Sequence, residues 1–397
     1  MPVHASVTPA EESEVVALVQ ELVRLHSVNP PGNEAAVAEA IARQAEAWGL
    51  ETRLDVVCDG RPNVLVRLAG AGERRGLLLS GHTDTVPPGE VAWEREPLSG
   101  ELADGLIWGR GATDMKAGVA AMLVAMAALA RRGWRPKGDL LFAGTVDEEV
   151  ASLGARHLRD TGGLNGVGWI VIGEPTNLDV VPTHRGALWL EITAYGKTAH
   201  GSMPDLGVNA ILHLAELLRW LGERRFPYQP HPLLAPPSMN VGTIAGGVKT
   251  NVVPDRCVAT VDLRTLPGQD HAAIVQDIRD LAAELESTVP GLRVDVRIAN
   301  DMPPVETPTD HPLVRTARAA IADALGAEPR VRGATYYTDG GVWVEAGIPI
   351  VIFGPGDDRL AHQPNEGVEV GQVVQAVRGY IAIAERLLGL GGRDDQA

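Results

Sequence analysis

Leu77-Leu78-Leu79-Ser80-Gly81-His82-Thr83-Asp84 is a short apolar run that stops in a glycine, a histidine and an aspartate. A run of this length predicts a buried strand of an α/β sheet. His82 and Asp84, two residues apart, leave the strand's end on one face. A metal-bound imidazole usually gives its other N–H to a carboxylate, so the pair suits a ligand and its orienter. The plain alternative is a surface turn with incidental polar residues.

The pattern recurs along the chain. Leu140, Leu141 and Phe142 lead into Gly144-Thr145-Val146-Asp147-Glu148-Glu149, and Trp169 to Ile172 end in Gly173-Glu174-Pro175-Thr176. Ile348 to Phe353 precede Gly354, Pro355 and Gly356, then Ala361-His362-Gln363-Pro364-Asn365-Glu366. Gly109-Arg110-Gly111-Ala112-Thr113-Asp114-Met115-Lys116 carries an acidic residue just ahead of an alanine-rich helix from about Ala117. Taken singly, Asp114 reads as a helix N-cap and the three carboxylates at Asp147 to Glu149 as a solvated turn. On extended backbone neighbouring side chains point apart, so Glu149 could face a metal and Glu148 a water. Because ligands of open α/β sheets gather beyond the strands' carboxyl ends, the five segments converge on one place. Two histidines and three carboxylates without a thiolate suit two Zn²⁺ ions, with Co²⁺ or Mn²⁺ as substitutes. A separation of about 3.5 to 4 Å is expected, with Asp114 between the ions.

The 397 residues suffice for two domains, and 45% hydrophobic with 22% charged residues is a globular composition. Thr8, Pro9 and Glu11 form a capping-box start to a first helix, and a second runs to about Trp48, stopped by Gly49. Strands and helices then alternate to Gly173. From Ala187 the order becomes strand 188–195, helix 208–222, strands 239–244 and 257–265, helix 270–286 and strand 292–298, the βαββαβ order of a ferredoxin-like unit. Pro303, Pro304, Pro308 and Pro312 punctuate the exit; a helix, the strand Ile348 to Phe353 and a last helix, Val370 to Leu388, resume the first style. The smaller domain, 185–299, is thus inserted into a larger one formed by 1–184 and 300–397. The tail from Gly389 is expected to fray.

The apolar runs are read as strand-sized, which argues against a membrane span. Cys58 and Cys257 are in no metal or redox spacing and are expected to be buried, inert thiols in a reducing compartment. Thirty-five Lys and Arg against fifty-one Asp and Glu give a net charge of −16, which disfavours nucleic acid and anionic membranes. The N-terminus has no signal-peptide pattern, so a cytoplasmic protein is expected.

In order and spacing, His82-Thr83-Asp84, Gly111 to Lys116, Glu148-Glu149, Gly173 to Thr176 and Ala361-His362 resemble the zinc metallopeptidase family of acetylornithine deacetylase, succinyl-diaminopimelate desuccinylase, aminoacylase and carboxypeptidase G. The resemblance covers nearly the whole chain. It implies an α/β, mixed-sheet zinc-hydrolase domain with an inserted α+β ferredoxin-like lid (dimerisation) domain. It also implies that His82 and Glu174 bind one metal, Glu149 and His362 the other, that Asp114 bridges, and that a cis peptide follows Asp114. Glu148 would be the general base, with metal-activated hydroxide attacking an amide carbonyl. His200, in Gly196-Lys197-Thr198-Ala199-His200-Gly201, would stabilise the oxyanion and often reaches across a homodimer; its plain reading is an exposed loop histidine.

Asn251, Arg264, Gly340 and Gly341 resemble the family's substrate-binding positions. Arg264 could clamp a product carboxylate or simply pair with Asp262 on its own strand. Tyr336 and Tyr337 make the stretch before Gly340 bulkier than the family pattern. His4, His157, His184, His213, His231, His271 and His311 take structural or surface readings, His184 being the most suggestive. The function so implied is a deacylase of N-acyl amino acids. The alternatives are a dipeptidase or carboxypeptidase with the same metals, or a silent homologue that binds an amino-acid conjugate. A silent homologue would be expected to have lost a ligand or the base, and all are present.

Overall fold

The apolar run at Leu77 is the strand Gly76–His82, buried over its whole length. In the computed structural model, which describes residues 6–390, it lies near the middle of a nine-stranded mixed sheet. The order is Glu51–Cys58, Arg61–Leu68, Leu140–Thr145, Gly76–His82, Val167–Ile172, Ile350–Ile352, Val180–His184 and Val305–Glu306, with Val331–Ala334 also paired to Val180–His184. Gly76–His82 runs parallel to both neighbours, and Ile350–Ile352 runs parallel to Val167–Ile172. Four adjacent strands therefore end on the same edge, and these are the four that precede His82, Glu148-Glu149, Glu174 and His362.

The first helix, Pro9–Arg24, begins at the expected capping box: Thr8 accepts from the Glu11 N–H at 3.3 Å while the Thr8 N–H donates to Glu11 at 2.8 Å. The helix Ala117–Arg131 corrects the reading of strand-sized apolar runs. Every residue from Ala117 to Leu129 is buried. By length and composition Ala112–Arg131 could cross a membrane, but nearly all of it lies inside this core. A helix apolar on all sides is what a central core position calls for. Gly118 allows it to approach the sheet: a Cβ there would stand 2.0 Å from the carbonyl oxygen of Gly173.

The described chain divides into two compact units. The first takes in residues up to Thr183, Glu306–Gly333 and those from Thr338 on; the second is His184–Val305 with Ala334–Tyr337. In the second, strands Gly186–Tyr195, Ser238–Gly246, Arg256–Thr265 and Arg293–Met302 form an antiparallel sheet, and helices Ala210–Glu223 and His271–Thr288 complete the β-α-β-β-α-β order. Leu188, Leu190 and Ile192 alternate inward, as do Ala259, Val261 and Leu263, and pack with Leu214, Leu217, Ile274 and Ile278. Asp262 and Arg264 occupy the intervening positions, as period-two alternation requires.

Two smaller expectations change. The strand expected from Ile348 to Phe353 is only Ile350–Ile352. Cys257 is buried but Cys58, at the end of the outermost strand, is only half-buried. His4 and the tail past Leu390 lie outside the described residues.

Candidate metal centre

His82 closes its strand with only 2% of its surface exposed. Its Nδ1 donates to the backbone carbonyl of Asp84 at 2.9 Å, which leaves Nε2 facing Asp114 Oδ1 at 3.1 Å and Glu174 Oε1 at 3.6 Å. Asp84 was expected to orient His82 with its carboxylate, but that group stands at 3.5 Å and the carbonyl is the closer acceptor. Besides this pairing with His82, the Asp84 carboxylate takes the backbone N–H groups of Glu148 and Glu149, each at 3.2 Å, and the Asn29 amide at 2.8 Å. One buried aspartate thus ties the end of one strand to the turn that follows its neighbour.

That turn also differs from expectation. Glu148 and Glu149 lie in a turn rather than on extended backbone, entered through Asp147 at φ +70°. The turn, and not strand pleating, therefore sets where the two side chains stand, each within reach of His82.

Asp114 lies between the two histidines. Its Oδ1 faces His82 and its Oδ2 faces His362 Nε2 at 3.2 Å. His362 Nε2 is also 3.1 Å from Glu149 Oε2. The N-cap alternative for Asp114 falls away, since the following helix is preceded by Lys116 and carries no side-chain cap. The peptide bond between Asp114 and Met115 is cis. Ligand atoms of His82, Asp114 and Glu149 lie within 4.8 Å of one another, as do those of His82, Glu148 and Glu174. Glu148 therefore sits where it could itself coordinate; only the resemblance separates it from the ligands as a base.

Burial and then the neighbouring carboxylates, Glu174 and Glu149 above all, raise Glu148 well above the ordinary range of a glutamate. Burial likewise raises Glu174 and Glu149, with Asp114 adding to it in both. Asp114 goes the other way: burial opposes its charge, but hydrogen bonds to His362 and His82 outweigh that and lower it. Hydrogen bonds that its ring donates to Asp114 and Glu149 push His362 up to about 10. For His82 burial works against the charge, yet Asp114 and Asp84 hold it well above 6.5. Among the described residues, the cationic groups paired directly with these carboxylates are two imidazoles, His82 and His362. Such a set is stable when cations sit among its oxygens, so the donors fit a pair of divalent ions.

Supporting residues to which the sequence reading gave no role surround these. Glu366 is buried; its Oε1 accepts the Thr113 N–H at 2.8 Å and the Asp114 N–H at 3.1 Å, and its Oε2 pairs with buried Arg110. Arg110 also reaches the carbonyls of Gln363 and His362 at 3.3 and 3.4 Å. Asp339 accepts from Thr145 at 2.6 Å, and burial pushes it up to about 6.

Gly340 and Gly341 do not form an open loop: they are buried and begin the short helix Gly340–Trp343. In the second unit His200 is exposed, and its Nδ1 accepts the Ser202 N–H at 3.1 Å, which leaves a proton on Nε2. Asn251 lies beside it, its carbonyl accepting the Gly201 N–H at 2.9 Å. Arg264 pairs with Asp262 at 3.0 Å and sits 5.9 Å from the Tyr337 ring centroid, so the plain reading of that arginine is present in this structure. Of the other histidines, His184 is fully buried and bonded to the Arg185 carbonyl, His271 bridges Thr265 and Asp301, and His311 caps the helix Pro312–Leu325.

Comparison with known proteins gives a consistent picture. The profile of peptidase family M20/M25/M40 matches residues 78–386. An acetylornithine deacetylase from Aliivibrio fischeri is 32% identical over 359 residues, 87% of this chain and 91% of that protein. A probable succinyl-diaminopimelate desuccinylase from Staphylococcus epidermidis is 28% identical over 405 residues, 94% and 97% of the two chains. Among solved structures, a dinuclear metal-binding peptidase of the M20 family from Bacillus subtilis superposes with a TM-score of 0.74 at 18% identity, covering 97% of this chain and all of that one.

Proposed function

The chain belongs to peptidase family M20/M25/M40, and from that premise we propose that it is a two-metal deacylase that hydrolyses the amide bond of N-acyl amino acids. The observation that carries the reading is Asp114, with one carboxylate oxygen turned to His82 and the other to His362. The deacylase names of relatives near 30% identity favour acyl amino acids over longer peptides.

We assign His82 and Glu174 to one ion, Glu149 and His362 to the other, and Asp114 to both. Zn²⁺ suits this nitrogen and oxygen set, with Co²⁺ or Mn²⁺ as substitutes. When bound, the ions would polarise the scissile carbonyl and bring a water's pKa to about 7. Glu148, whose burial favours its protonated form, is suited to take a proton from water and pass it to the leaving nitrogen. His200, with its proton on Nε2, is suited to donate to the developing oxyanion, and Asn251 and Arg264 to hold substrate. Asp84 keeps Glu148 and Glu149 in register by binding both backbone N–H groups.

Two further assignments belong to this reading. A homodimer through the second unit is supported by the sheet-edge strand Ser238–Gly246, exposed along nearly all its length, with Ile244 and Val248 bare to solvent. A cytoplasmic setting is supported by two unpaired cysteines.

The test is hydrolysis of N-acetyl, N-succinyl and dipeptide substrates before and after chelation, with Zn²⁺ restored and Glu148→Ala alongside. Metal-dependent turnover lost in Glu148→Ala is the expected result. A wild-type protein that binds no metal would end the two-metal reading.

A further inference from the structure

Asp147, the residue before the proposed base, is one of the few non-glycine residues with a left-handed backbone, φ +70°. Its carbonyl accepts the N–H groups of Val150, Ala151 and Ser152 at 3.3, 3.0 and 2.6 Å, so the turn that carries Glu148 and Glu149 is wound around it. Its side chain is only 4% exposed. Asp147 Oδ1 accepts the Asn29 amide at 2.9 Å and Arg61 Nη2 at 2.8 Å. The same Asn29 nitrogen donates to Asp84, and Arg61 is itself fixed by a two-point bond to Glu34, whose side chain is wholly buried, at 2.8 and 2.6 Å. Gly32, at φ +90°, makes room for the guanidinium: a Cβ there would stand 2.2 Å from its central carbon.

We propose that Arg61 and Asn29 are positioning residues that grip Asp147 from two sides and so fix the turn presenting Glu148 and Glu149. Neither reaches the metal centre itself; both act through Asp147, and Asn29 also through Asp84. The chain of contacts runs from Glu34 through Arg61, Asp147 and Asn29 to Asp84 and the two turn amides. All of these groups are buried or nearly so; Asp147 Oδ2 is buried without a hydrogen-bond partner, so both bonds that hold this side chain fall on Oδ1, and they select one arrangement of the network's members. The consequence for metal binding rests on the two-ion reading given above; the consequence for the turn does not.

The experiment is hydrogen exchange of the full-length, metal-free protein together with calorimetric Zn²⁺ titration, on wild type, Arg61→Met, Arg61→Lys and Asp147→Gly. Asp147→Gly tolerates the left-handed backbone but removes the gripped carboxylate. The expected result for Arg61→Met and Asp147→Gly is exchange at least about tenfold faster across 146–152, with Leu140–Thr145 unchanged. One Zn²⁺ equivalent should also weaken by about 10- to 100-fold, the range for lost outer-shell partners. Arg61→Lys, which keeps the charge without the fork, should recover part of both effects. Unchanged exchange in the turn overturns the proposal. Faster exchange with wild-type Zn²⁺ affinities reduces Arg61 to a structural residue and overturns it equally. Should wild type take up no Zn²⁺, the two-ion reading fails and the exchange arm alone decides the grip.

Discussion

The pair Arg110–Glu366 offers a sharp test of how the centre is held. Its side chains are 2% and 0% exposed, and breaking such a pair by removing one partner costs about 3 to 5 kcal/mol. The two deletions should differ. Burial and the charge on Asp114 already push Glu366 up to about 7 in spite of Arg110. In Arg110→Met the stranded carboxyl can take up a proton, so the loss should fall near the low end, about 3 kcal/mol. In Glu366→Gln the guanidinium cannot shed its charge, so the loss should be nearer 5 kcal/mol although Gln still accepts from Thr113 and Asp114. The pH dependence follows. A carboxyl whose folded pKa is raised binds its proton more tightly folded than unfolded, so stability falls as pH rises from about 4.5 through the folded value. Without Arg110 that value rises further, so the penalty of Arg110→Met should be greater at pH 8 than at pH 6. Guanidinium unfolding of the metal-free single and double variants at both pH values is the assay. In Arg110→Met with Glu366→Gln no charge is stranded, and the double variant should be more stable than Glu366→Gln alone. Losses additive within about 0.5 kcal/mol and equal at the two pH values would refute the reasoning.

Burial holds His184 down at about 4, so the unfolded chain binds the extra proton between there and about 6.5. Stability should therefore be full above pH 6.5 and fall by up to roughly 3 kcal/mol as pH drops toward 4; an equally steep fall in His184→Gln would count against this. Gly118→Ala should destabilise by about 1 to 3 kcal/mol, because its Cβ meets backbone at Gly173 and not a movable side chain. The same change in an open helix stabilises by about 1 kcal/mol, so a raised unfolding temperature would refute that contact. Finally, the His362 side chain is 49% exposed and that of His82 1%, so chelation should strip the proposed ions in two phases, with the faster abolished in His362→Ala. A single phase in wild type would contradict that asymmetry.

The elements most legible in the sequence were those set by local pattern. The capping box at Thr8, the strand–helix alternation of the second unit and the buried strands at Leu77, Leu140 and Trp169 each follow from spacing over a few residues. The helix from about Ala117 was legible as an alanine-rich run, but its burial on every side was not, because such a helix has no amphipathic period to show which face packs. The turn at Glu148 escaped because one left-handed residue, Asp147, reverses what extended backbone would do. Asp84 was read as half of a local pair with His82, which stands at 3.5 Å, whereas the closer partners of its carboxylate are 55 to 65 residues distant. Glu366 and Arg110 were visible as residues but not as partners, being 256 apart.

The division has a physical basis in how the ligands are carried. His82, Glu148-Glu149, Glu174 and His362 follow four adjacent parallel strands, so lateral spacing is set by sheet geometry, about 4.8 Å per strand. A sheet fixes where a strand ends but not how the next few residues turn. Those turns hold the metal-facing atoms, and they are where the buried polar contacts concentrate: Asp84 and Asp147 on the Glu148 side, Glu366 and Arg110 on the Asp114 and His362 side. Each supporting carboxylate must itself be satisfied in a site already crowded with negative charge, which is why Arg61 and Arg110 are drawn inward on a chain with a net charge of −16. Periodicity can thus point to the ligands, because it reports the strands. It cannot point to the two arginines that steady them, because their positions answer to charge balance in the folded protein.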